Sequence, residues 1–118
     1  GPMESTTHDD ALPVWDQQAA MLSTGGDAEL ARALLTSLIE QLPAELDAMR
    51  RLADDTDLPQ LAEKAHQIRG GALYCGVDAL CAALGRLDRD AKQGDAAAAA
   101  KSLARVSTEV ERLCALSL

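Results

Sequence analysis

The 118-residue sequence predicts an all-α domain, an up-and-down four-helix bundle with a short additional helix at its N-terminus. Three observations predict it. Apolar positions recur at the helical period of 3.6 through four long segments. The apolar residues, 47% of the chain, are mostly Leu and Ala, while Phe is absent and Trp15 and Tyr74 are the only aromatics, so residues that favour strands are scarce. Short turns carrying Gly or Asp separate the segments, the chemistry that stops one helix and caps the next.

The elements follow in order. Gly1-Pro2-Met3 reads as a protease-cleavage scar and an initiator or cloning methionine. With the polar stretch up to residue 11 it forms an expected flexible tail, and the domain proper is residues 12–118. From Val14 to Ser23 a short amphipathic segment spaces Trp15, Ala19 and Leu22 by four and three, and Thr24-Gly25-Gly26 stops it. Asp27 caps the longest helix. Its apolar positions are Leu30, Leu34, Leu35, Leu38, Ile39, Leu42, Leu46, Met49 and Leu52. Pro43 removes one backbone hydrogen bond within that run, which predicts a bend or a division in two.

The third helix is expected from about Leu58 to Tyr74, with Leu58, Leu61, Ala65, Ile68 and Ala72 on one face. Cys75-Gly76 breaks it. The fourth runs from Val77 to Lys92 with Leu80, Cys81, Leu84 and Leu87 inward. Gln93-Gly94-Asp95 is a turn and cap. The fifth runs from Ala96 to about Leu116 and buries Leu103, Val106, Val110, Leu113 and Cys114. Short turns make helices three to five antiparallel in sequence, and the first helix closes one end of the bundle.

Composition excludes several functions. Net charge is −8, which a nucleic-acid backbone would repel. No apolar stretch approaches the roughly 20 residues of a membrane span, and no signal peptide is visible. Cys75, Cys81 and Cys114 are an odd number lying in apolar helical patterns, so they read as reduced core residues. The expectation is a soluble, cytoplasmic domain.

Two histidines occur. His8 lies in the tail and reads as solvated. His66 sits about 130° from the centre of its helix's apolar stripe, on the exposed side. Gly70 follows one turn later on nearly the same face, with Gly71 beside it. Two glycines inside a helix each cost up to about 1 kcal/mol against alanine, and one offsetting reason is access to the imidazole by a partner's backbone or a phosphate. Arg69 places a cation near His66, suited to neutralising a phosphoryl group. Lys64 lies roughly 160° away around the helix and is given no role at the ring. Plainer accounts stand beside this one. The histidine would be ordinary surface, the glycines would serve helix packing, and Arg69 would pair with a neighbouring carboxylate.

The stretch Ala65-His66-Gln67-Ile68-Arg69-Gly70-Gly71-Ala72 resembles the signature of histidine phosphotransfer (HPt) domains: a small residue, His, any residue, an apolar residue, Lys or Arg, then Gly and small residues. Leu73-Tyr74-Cys75-Gly76-Val77-Asp78-Ala79-Leu80 continues the likeness, and Leu38-Ile39-Glu40-Gln41-Leu42-Pro43 is similar to the upstream apolar-Leu-Pro segment. The resemblance covers about residues 12–116 and looks closest to the C-terminal HPt domains of BarA/GacS-type hybrid sensor kinases. Arg69 stands where Lys is common.

This resemblance implies that His66 accepts a phosphoryl group from a receiver-domain aspartate and passes it to a response-regulator aspartate. Arg69 would neutralise the phosphate and Gly70 would leave steric access. It implies no cofactor in this chain, since the Mg2+ of the transfer belongs to the receiver. The partners would be receiver domains of a hybrid kinase and a response regulator, with Pro59, Ala62, Gly71 and Leu73 as candidate contacts. The isolated domain would be a monomer, neither touching membrane nor binding nucleic acid, and would fit the cytoplasmic end of a membrane-anchored kinase. It would have no kinase activity of its own.

Other readings fit less well. In a sensor-kinase dimerisation domain an acidic residue follows the histidine and a proline comes soon after, whereas Gln67 follows here and no proline occurs after His66. Glu63-Lys64-Ala65-His66 supplies one Glu-x-x-His pattern of a metal-binding bundle, but one copy only, on a helix with an apolar inward face. Cys75 and Cys81 lack the paired spacing of a zinc site. A docking bundle without phosphotransfer keeps the fold but leaves the His, cation and glycine together unexplained.

Overall fold

Aspartates start four of the five helices among the described residues. In a computed structural model, which describes residues 12–118, these are α1 (Gln17–Ser23), α2 (Ala28–Asp54), α3 (Leu58–Ala72), α4 (Asp78–Lys92) and α5 (Ala96–Cys114). Asp16, Asp27, Asp57 and Asp95 each accept a hydrogen bond from the amide three residues on, at 2.9–3.2 Å. Each cap satisfies an otherwise orphaned donor and stabilises its helix by about 1 kcal/mol. Helix α4 has no side-chain cap: Val77 occupies that position, and α4 starts one residue later than expected. The expected tail, with His8, lies outside the described residues.

The long helices α2 to α5 form the predicted bundle. Helix α3 packs on α4, α4 on α5, and α2 closes the ring against α3 and α5, while α1 sits at one end against α2 and the turn after α3. The shared core is aliphatic, built from Leu35, Leu42, Met49, Leu61, Leu84, Leu87, Val106 and Leu113 with alanines between them. Cys75 and Cys81 are buried as expected, and burial pushes the Cys81 thiol up to about 11, so it stays protonated and unreactive.

Several expectations are corrected. Pro43 does not divide α2, which is unbroken over 27 residues. Its ring faces solvent, where loss of one backbone bond is tolerated. Leu30 and Leu34 are exposed because α2, about 40 Å long by its rise per residue, overhangs its shorter neighbours. The α-helical part of α3 ends at Ala72, and Leu73–Cys75 tighten into a 3-10 turn that stops at left-handed Gly76. Helix α1 starts at Gln17, since Asp16 is its cap. Helix α5 ends at Cys114, which is exposed.

Residues 13–16 form a strap across the turn between α3 and α4. Asp16 N donates to Gly76 O at 2.6 Å, and Ala79 N donates to Pro13 O at 3.1 Å. The close approach depends on glycine. A Cβ at Gly76 would overlap the Asp16 carbonyl oxygen and come within 3.2 Å of Ala20. The strap carries Trp15 onto the core. Asp16 and Asp78 face each other there, and burial together with Asp16 holds the Asp78 carboxyl above its usual range.

One buried charge lies far from the strap. Glu109 on α5 is 1% exposed and is held by Arg112 at 3.0 and 3.2 Å and by Arg105 at 3.4 Å. Across the α4–α5 contact, Ser102 donates to Asp90. These pairs satisfy buried polar atoms, and their net worth is small once desolvation is counted.

Candidate functional site: an exposed histidine held by a buried aspartate

Helix α3 buries Leu61, Ala62, Ala65, Ile68 and Ala72, a stripe that turns His66 outward. Its side chain is 68% exposed. The ring is nevertheless fixed at one nitrogen. His66 Nδ1 lies 3.2 Å from Asp88 Oδ2, on α4. Asp88 is largely buried between the helices, its side chain 12% exposed. Lys92, one turn further along α4, places Nζ 3.2 Å from Asp88 Oδ1. That contact is an ion pair without hydrogen-bond alignment, so Oδ1 is left with no hydrogen-bond donor.

This geometry selects a tautomer. An ionised carboxylate only accepts, so the Nδ1 facing Asp88 carries the proton. The neutral ring then keeps its lone pair on Nε2, which points away from Asp88 toward solvent. A fixed exposed nucleophile results, and any positive charge that develops on the ring meets the Asp88 carboxylate.

The space beside the ring is open. A Cβ at Gly70 or Gly71 would meet nothing within 4 Å, so close helix packing does not explain these glycines and the plainer account of them fails. On the other flank, Pro59, Ala62, Glu63, His66, Ala91 and Lys92 line a groove of about 340 Å³. Its floor is apolar and its rim charged.

Not every anticipated residue lies as expected. Pro59, Gly71 and Leu73 are exposed, Leu73 by 51%, so Leu73 is not a core residue. Ala62 is 2% exposed. It offers only groove floor and is corrected as a projecting docking residue, because the packing of α3 on α4 covers it. Lys64 pairs with Glu45 at 2.7 Å, away from His66. Arg69 reaches across to α4, with Nε 3.4 Å from where a Cβ on Gly85 would stand, and its charge acts on the Cys81 thiol. Among the described residues, no group of three His, Cys, Asp or Glu side chains converges as a metal cluster would require, so Glu63 and His66 remain a lone pair of donors.

Sequence reasoning missed Asp88 and Lys92. A signal existed for Asp88: it continues the inward register of Cys81 and Leu84 at i+7 and i+4, where a charged residue calls for a partner.

Comparisons with known proteins agree with this geometry. A family model described as the Hpt domain matches residues 33–116. The chain is 35% identical over 104 residues to the sensor histidine kinase GacS of Pseudomonas protegens, covering 88% of this chain and 11% of that protein. It is 32% identical over 80 residues to the sensor protein GacS of Pseudomonas syringae pv. syringae, covering 68% and 9%. It is 32% identical over 66 residues to the virulence sensor protein BvgS of Bordetella bronchiseptica, covering 56% and 5%. The chain thus spans about a tenth or less of the length of these relatives. No solved structure matches it significantly. With the family match covering most of the bundle and its one described histidine held ready on α3, this chain belongs to the Hpt family, the histidine phosphotransfer domains of phosphorelay signalling.

Proposed function

We propose that His66 is the phospho-acceptor, taking a phosphoryl group from an aspartyl phosphate on one receiver domain and delivering it to the aspartate of another. The observation that carries this reading is the Nδ1–Asp88 contact, which leaves Nε2 free on an open face. In the forward step the Nε2 lone pair attacks phosphorus. The N–P bond forms, the acyl O–P bond breaks, and the receiver's carboxylate leaves. Nδ1 keeps its proton, so the phosphorylated ring carries positive charge beside Asp88 and remains a good donor for the second transfer.

Arg69 supplies positive charge near the phosphoryl group, and Gly70 leaves room for the approaching receiver. The divalent cation belongs to the receiver, and this domain supplies none. The groove between Pro59 and Lys92, with exposed Leu73 beyond the glycines, forms the docking face. The receivers belong to a hybrid kinase and a response regulator, and the domain works in the cytoplasm as a monomeric unit. None of its described helices is long and apolar enough to cross a membrane.

The test is transfer from a phosphorylated receiver domain to wild type, His66→Gln and Gly70→Gln. His66→Gln should take no label. Gly70→Gln should fold normally, since the site is open and glycine is the poorer helix former, yet transfer at least about tenfold more slowly because the donor is displaced. Undiminished labelling of His66→Gln would remove the phospho-acceptor from this account.

A further inference from the structure

Two arginines from neighbouring helices meet over Gly85. A Cβ at Gly85 would stand 3.4 Å from Arg69 Nε and 3.8 Å from Arg89 Nη1. The missing side chain leaves a shallow saddle on α4, and both guanidinium groups reach into it. Most other cations are engaged: Lys64 with Glu45, Lys92 with Asp88, and Arg105 and Arg112 with Glu109. Among the described residues, Arg69 and Arg89 have no carboxylate within ion-pair distance. In a chain of net charge −8, they form a small uncompensated positive field.

Its position is specific. Arg69 follows His66 by three residues on α3, and Gly85 precedes Asp88 by three on antiparallel α4. Both steps run the same way, so the arginine pair lies one turn from the His66–Asp88 contact. The apolar groove of Pro59, Ala62 and Ala91 lies on the ring's other side. A partner seated over His66 would therefore meet apolar surface on one flank and two forked cations on the other.

We propose that Arg69 and Arg89 form a clamp for a carboxylate on the docking receiver domain, which makes Arg89 a partner-selecting residue. The inference rests on the phosphotransfer reading and deepens it. A receiver presenting an aspartyl phosphate brings negative charge to this face, and paired guanidinium forks match carboxylate geometry in a way that a diffuse positive field does not. Charge complementarity of this kind steers encounter and rejects receivers with neutral or basic residues at that point.

The experiment uses the full chain and a panel of receiver domains phosphorylated on aspartate, taking forward the one that labels wild type fastest. Apparent KM and maximal transfer rate are measured at low and high salt for wild type, Arg89→Ala, Arg89→Lys and Lys101→Ala. Lys101 is an exposed cation on α5 that serves as the control. Arg89→Ala should raise apparent KM about tenfold at low salt and about twofold at high salt, with the maximal rate within about twofold of wild type. Arg89→Lys should recover part of the loss, because a point charge replaces the fork. Lys101→Ala should behave as wild type. If Arg89→Ala keeps the wild-type KM and salt dependence, the clamp is wrong. If its loss falls on the maximal rate alone, Arg89 serves the phosphoryl group on His66 together with Arg69, and the carboxylate assignment is overturned. Wild type that no receiver labels would sink the phosphotransfer reading itself, a result distinct from either of these.

Discussion

Gly76→Ala should destabilise the domain by about 2–4 kcal/mol and release the N-terminal strap. Two costs combine. Gly76 has φ +72°, a left-handed conformation that costs a residue with a Cβ about 1 kcal/mol or more. The added Cβ would also overlap the Asp16 carbonyl oxygen and crowd Ala20, so the strap must lift and its two backbone hydrogen bonds to Gly76 and Ala79 must break. Gly94 separates the two costs. It has φ +75°, but a Cβ there meets nothing within 4 Å, so Gly94→Ala should cost only the conformational part. Urea unfolding of both variants measures the difference, and Trp15, the only tryptophan, reports the strap by a red-shifted emission in Gly76→Ala. Equal losses in the two variants would mean that the strap's contact adds nothing.

Asp88→Ala should slow phosphotransfer at saturating receiver by about tenfold to a hundredfold without unfolding the bundle. Asp88 is the group that holds the proton on Nδ1. Without it the imidazole turns freely, and the tautomer protonated on Nε2, which has no lone pair at that nitrogen to attack with, becomes populated. The phosphorylated ring also loses the carboxylate that balances its charge. Asp88→Asn can still accept from Nδ1 but carries no charge, so an intermediate loss is expected. Nitrogen-15 NMR of the His66 ring gives an independent readout, moving toward Nε2 protonation in Asp88→Ala. Wild-type transfer by Asp88→Ala would show that the contact is only structural.

The bundle was legible because the properties that build it are local. Asp27 and Asp95 announce two helix starts, and the spacing from Leu42 through Leu46 to Met49 marks one buried face. The ends were read less well, since a 3-10 turn at Leu73–Cys75 and an α-helix carry nearly the same pattern over three residues. The division offered at Pro43 does not occur, because the cost of its missing hydrogen bond depends on which side of α2 meets solvent, a fact of packing. At the site, His66 and Gly70 were visible as neighbours on one helix. Asp88 was not, since it lies 22 residues away and becomes a neighbour only when α3 and α4 pack. Arg69 was placed by its position on α3, but its side chain is long enough to cross to Gly85, and its direction follows from the space that Gly85 leaves open. Arg89, on the next helix, could be joined to it only in three dimensions.

The most direct measurement is the site of the phosphoryl bond on wild-type protein carrying ring-labelled [15N]histidine, phosphorylated by a receiver domain and held at alkaline pH. Phosphorus–nitrogen coupling should place the phosphoryl group on Nε2 of His66, with Nδ1 still protonated toward Asp88. A phosphoryl group on Nδ1, on His8 or on no histidine at all would contradict the account.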